Sequence, residues 1–215
     1  MKKLLAVLAL GATMAVPAHA GFVVSGGSTS AGLTTANIAA IGNDFAADIT
    51  ALFGSGTTSF NTSGLLSFAG GGTISIQLVA LGSESGYADS LYSGNSPLFQ
   101  ENDPAGPHYY NSFITSISDN AANLTTFLQT LNFRTSANGA GGSNAPMGTT
   151  GFGYYFNPAN TNSILLAFDD HNGSDDNHDD LLIKISVVPE PATWGLMILA
   201  FGLLGFAQRR RMVSA

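Results

Sequence analysis

Thr73-Ile74-Ser75-Ile76-Gln77-Leu78 decides the fold class. Polar and apolar residues alternate through all six positions, and in an extended chain successive side chains point to opposite faces. The hexapeptide reads as a strand with one face in a core and the other in solvent. The same pattern extends along the chain. Residues 65–69, 152–156, 163–168 and 181–187 are short bursts of β-branched, aromatic and leucine side chains set among Gly, Ser, Thr, Asn and Asp. Such bursts separated by turn formers are strands. Residues 87–92 and 111–117 add two further strand candidates. Residues 127–133 fit a strand through Phe127, Leu131 and Phe133, or a short helix. The expected fold is all-β: a single β-sandwich, jelly-roll-like.

One stretch departs from period two. Ile38, Ile41, Phe45, Ile49 and Leu52 recur at spacings of three and four, with Asp44 and Asp48 between them. That spacing predicts one amphipathic helix of about four or five turns. Thr35 is its N-cap candidate and Gly54 its stop. Its apolar stripe is expected to lie across a sheet. Residues 139–151, with five glycines and Pro146, read as a flexible surface loop, since a phosphate-cradling loop needs a lysine and a following helix.

The two ends are of a different kind. Lys2 and Lys3 precede an apolar run and then Ala18-His19-Ala20, the three parts of a secretory signal peptide ending at residue 20. At the other end Pro189-Glu190-Pro191 is followed by the apolar run 192–207 and by Arg209, Arg210 and Arg211. The run spans about 24 Å as a helix, short for a bilayer core of about 30 Å. It reads as a transmembrane helix whose arginine flank snorkels and stays cytoplasmic. Motif, apolar helix and basic cluster in that order resemble the PEP-CTERM sorting signal of Gram-negative bacteria. The resemblance covers residues 188–211 and implies recognition by an exosortase, an integral-membrane cysteine protease. It also implies export through the inner membrane, anchoring with the ectodomain outside the cytoplasm, and release to the cell surface or extracellular matrix. The domain between the signals is then residues 21–188.

Five of the seven basic residues belong to the targeting ends. The ectodomain keeps Arg134 and Lys184 against thirteen acids, a net charge of −11. Such a surface repels nucleic acid and attracts cations. The chain has no cysteine, which excludes thiol catalysis, disulfides and cysteine zinc sites.

The acids concentrate between two apolar strands, in Asp169-Asp170-His171-Asn172-Gly173-Ser174-Asp175-Asp176-Asn177-His178-Asp179-Asp180. Six carboxylates in twelve residues repel one another unless a counter-ion joins them. Hard oxygen donors suit Ca²⁺. One register uses Asp170, Asn172, Ser174, Asp176 and Asp180. Another uses Asp175, Asn177 and Asp179 with Asp169. Neither has EF-hand spacing. A solvated hairpin loop turning at Asn172-Gly173 is the plainer alternative, and His171 with His178 raises a transition metal. The strand, Asp/Asn-rich loop and strand over 164–186 also resemble, more loosely, an element that precedes the tag in many PEP-CTERM proteins.

No nucleophile elbow is present. The acids crowd one loop instead of flanking a cleft as glycoside hydrolysis requires. The expectation is a non-catalytic envelope or matrix protein. The family resemblance implies a link to exopolysaccharide and biofilm formation. A carbohydrate-binding module is the alternative, with Tyr87, Tyr92, Tyr109, Tyr110, Tyr154 and Tyr155 as stacking candidates on one face. A hydrolase using His108 with a carboxylate is the third reading.

Overall fold

The computed structural model describes residues 21–101, 107–136, 144–170, 177–188, 198 and 200–202. The described chain runs β1 (Gly21–Ser25), β2 (Ser28–Leu33), α1 (Thr35–Ala39), α2 (Ala46–Phe53), β3 (Thr58–Thr62), β4 (Leu65–Ala69), β5 (Thr73–Ser83), β6 (Ala88–Ser93), β7 (Ser96–Gln100), β8 (His108–Asn120), α3 (Ala121–Gln129), β9 (Leu131–Ser136), β10 (Asn144–Pro146), β11 (Phe152–Asn157), β12 (Asn160–Phe168) and β13 (Leu181–Val188). A seven-stranded sheet has the order β2-β3-β11-β12-β13-β5-β8, a four-stranded sheet β10-β9-β6-β7, and β1 pairs with β4. All pairings are antiparallel.

The alternation in β5 does what the sequence implies. Ile74, Ile76, Leu78 and Ala80 are buried, while Ser75, Gln77 and Val79 between them are only partly covered. They join a core filled from the seven-stranded sheet by Tyr154, Ile164, Leu166, Phe168, Ile183 and Ile185, and from the facing sheet by Leu91, Leu131 and Phe133. The Phe133 ring stacks on Phe168 at 4.9 Å and meets Phe152 at 4.8 Å, which joins the two sheets face to face. The sandwich is unequal, seven strands against four, with β1–β4 and α3 filling the remaining span.

Strand β12 reads differently, and for a physical reason. Residues 164–168 are all buried, odd and even alike. The second face of the large sheet carries its own core, in which Tyr155, Leu165, Ala167 and Leu182 meet Ile38, Phe45, Ala46, Ile49 and Phe53. A strand covered on both faces needs apolar residues at every position.

That helical cover corrects one expectation. The stripe at 38–52 is two short helices, not one. Gly42 has φ +92° between them, a conformation that breaks a right-handed helix. The Asn43 side chain then accepts from the Phe45 N–H at 3.0 Å and starts the next turn. Ile41 and Leu52 are exposed as a result, while Ala46 and Phe53 take inward places. Thr34, not Thr35, caps α1 through a reciprocal bond with Asn37. Gly54 ends α2 as expected, with φ +87°. The ambiguous segment at 127–133 divides between α3 and β9, and within 139–151 residues 144–146 form β10.

Residues 1–20, the motif 189–191, most of 192–207 and the basic cluster 209–211 lie outside the described residues. Among the described residues no helix is long and apolar enough to cross a membrane.

Candidate metal centre

Antiparallel pairing of β12 with β13 brings the two ends of the acidic loop together. Phe168 pairs with Leu181, so the Asp170 and Asp180 backbones leave the sheet side by side. The Asp170 N–H donates to Asp180 Oδ2 at 2.6 Å. Across the sandwich β6 contributes Asp89. Leu91 lies in the core, and Asp89, two residues earlier, shares its inward face. The carboxylates of Asp89, Asp170 and Asp180 converge, with one oxygen from each within 4.8 Å of the others. Asp89 comes from the four-stranded sheet and the other two from the hairpin of the seven-stranded sheet.

The electrostatics are unfavourable for bare charge. Asp89 is 0% exposed, and neither of its carboxylate oxygens makes a hydrogen bond. Burial pushes its carboxyl up to about 8, opposed by the nearby Ser85 and Thr135 hydroxyls and reinforced by the Asp170 and Glu101 charges. Burial likewise pushes Asp180 up to about 9, opposed by the Asp170 N–H and reinforced by Asp170 and Asp89. Asp170 Oδ2 accepts from the Ser85 hydroxyl at 2.8 Å. Neither Arg134 nor Lys184, the Lys and Arg side chains of residues 21–188, is directed here. Arg134 lies on the outer face of the four-stranded sheet, 4.1 Å over the Tyr92 ring and bonded to the Gly94 carbonyl and Asn132. Lys184 pairs with Val79 and Leu165 on the face of the large sheet away from this core.

Beside the loop runs β13, whose last paired residue is Val188, opposite Ser75. Residues 187–211 match a family model described as the PEP-CTERM protein-sorting motif. The chain carries a PEP-CTERM sorting motif. No curated protein and no solved structure matches the chain. The PEP-CTERM motif implies an exported, exosortase-processed protein of Gram-negative bacteria. Its match begins inside β13, so Val187 and Val188 belong both to the sandwich and to the motif.

Upstream of the PEP-CTERM segment, the residues expected to hold calcium fall into distinct places. Asp170 and Asp180 sit in the converging trio. Asp169 is buried, and its N–H donates to the Gly151 carbonyl at 3.1 Å, outside the trio. Asn172, Asp175 and Asp176 lie outside the described residues, as does His171. Asp179 turns to the opposite side from Asp180, as neighbours in an extended segment do. Its Oδ2 accepts from the Asp44 N–H at 2.8 Å. Burial and the Glu84 carboxyl beside it push Asp179 up to about 8. Asn177 is buried, and its carbonyl accepts from Asn43 Nδ2 at 2.9 Å. His178 faces Phe60 at 5.0 Å and approaches the Thr150 carbonyl at 2.9 Å through Nε2.

Asp89 was not visible as a ligand in the acidic loop, which starts eighty residues downstream. The available signal was phase: a charge in step with the core residue Leu91. The tyrosines do not gather on one face. Tyr154 and Tyr155 are fully buried on opposite faces of one strand, Tyr110 donates to Glu101 at 2.8 Å, and Tyr109 is 67% exposed. His108 opens β8 opposite Ser83, with its ring stacked on Tyr110 at 6.1 Å.

Proposed function

We propose that the chain is a non-catalytic β-sandwich of the cell envelope or extracellular matrix, delivered outside the cytoplasm and freed or anchored through its PEP-CTERM segment. The observation that carries this reading is the direct join between fold and signal. Val188 is the last residue of an interior strand, and the Pro-Glu-Pro motif starts at the next residue. Strand β13 is held between β12 and β5 through Ser186 and by β5 to Val188, so processing near residue 189 would leave the sandwich whole. The ectodomain's net charge of −11 suits a soluble, cation-attracting surface. A link to exopolysaccharide or biofilm follows from the family resemblance alone. The carbohydrate-binding alternative receives little support from tyrosines divided between core and surface.

Co-expression with an exosortase in a Gram-negative host tests this reading. The wild-type chain should lose its C-terminal segment and appear outside the inner membrane, while Glu190→Ala should stay full length. Identical processing of both chains, or none of either, would contradict it.

A further inference from the structure

We propose that Asp89, Asp170 and Asp180 bind a divalent cation, Ca²⁺ by ligand chemistry, which ties the four-stranded sheet to the seven-stranded sheet. Three carboxylates at 0–9% exposure share one site between the sheets. Asp89 supplies the independent evidence. It is fully enclosed, directed at two other carboxylates, and both its oxygens lack a hydrogen-bond partner. Such a group costs stability unless something fills its lone pairs.

A proton alone does not complete this arrangement. A protonated Asp89 carries an O–H that needs an acceptor, and neither oxygen makes a hydrogen bond. A cation among the three accepts from all of them at once. Oxygens within 4.8 Å of one another suit a common ion with ligand distances of about 2.3–2.6 Å. The donors are hard oxygens, with the Ser85 hydroxyl bonded at their edge. His178, two residues from Asp180, is turned toward Phe60 and Thr150, and the chain has no cysteine, so among the described residues no soft donor joins the three carboxylates. This assignment moves the metal from the acidic loop into the space between the sheets. It stands independently of the sorting motif, since export and processing can succeed or fail with the site intact.

Thermal melts of the full chain in detergent, with calcium and with chelator, test the proposal. Calcium should raise the wild-type melting temperature by several degrees, because a ligand of the folded state alone adds stability. Asp89→Asn should abolish that rise and melt in chelator no lower than wild type, since it removes an enclosed charge. Asp48→Asn, at an exposed acid on α2, should keep the full response. Should Asp89→Asn fail to fold, Asp180→Asn is read the same way. Equilibrium dialysis of wild type should in any case retain about one calcium per chain. A wild type that melts alike in calcium and chelator, an Asp89→Asn chain that keeps the response, or no retained calcium would overturn the proposal.

Discussion

Asp89 carries the chemistry of this protein at the scale of one side chain. Its carboxyl and that of Asp180 are raised from an ordinary value of 3.8 to about 8 and about 9, chiefly by burial. The consequence for stability has a definite sign. A carboxyl with a folded pKa above its unfolded one binds more protons in the native state, so stability falls as pH rises between the two values. In chelator, the melting temperature should therefore drop from about pH 4 to about pH 8. Calcium should reverse the slope over the same window, because a cation binds the deprotonated ligands. A pH series of melts with and without chelator reads both slopes, and parallel curves would contradict the cation assignment. The sequence displayed Asp170 and Asp180 as candidates because they sit in a dense acidic run. It hid Asp89 because a lone acid in a weak strand signals only through its phase. Here both Tyr87-Asp89-Leu91 and Ala88-Ser90-Tyr92 can pass for the inward set.

At the scale of elements, the strands were legible wherever periodicity had one physical cause. Strand β5 alternates because one face meets the core. Strands β12 and β13 were legible as apolar bursts, but their two-sided burial depended on helices whose placement no local pattern gives. The single helix expected over 38–52 failed at Gly42, where a positive φ and the Asn43 side chain outweigh the apolar spacing. Strands β2 and β7, with polar or mixed compositions, gave no period at all. Between elements, Gly153 of β11 marks a close approach. A Cβ there would lie 2.6 Å from the Phe60 ring and 2.8 Å from the His178 ring. Gly153→Ala should therefore cost about 1–3 kcal/mol through overpacking. It should also weaken the calcium response, because His178 anchors the segment that ends in Asp180. Urea unfolding checks the first effect and calcium-dependent melting the second. An unchanged midpoint would show that the rings move aside freely.

At the scale of the whole molecule, two sheets enclose an apolar core, and their shared end carries a set of carboxylates toward which neither Arg134 nor Lys184 is directed. Strand β13 links the two functional features: Asp180 directly precedes it and the PEP-CTERM segment follows it. The charge pattern in the sequence pointed to this division, with bases at the targeting ends and acids in the domain. What the chain could not reveal was that its most consequential acids meet across the sandwich instead of within one loop. Isothermal calorimetry of the full chain with Ca²⁺ tests that claim most directly. The account predicts saturable binding that disappears in Asp89→Asn, a residue outside the acidic loop. Binding of equal strength in wild type and Asp89→Asn would return the ion to the loop and contradict the inter-sheet centre.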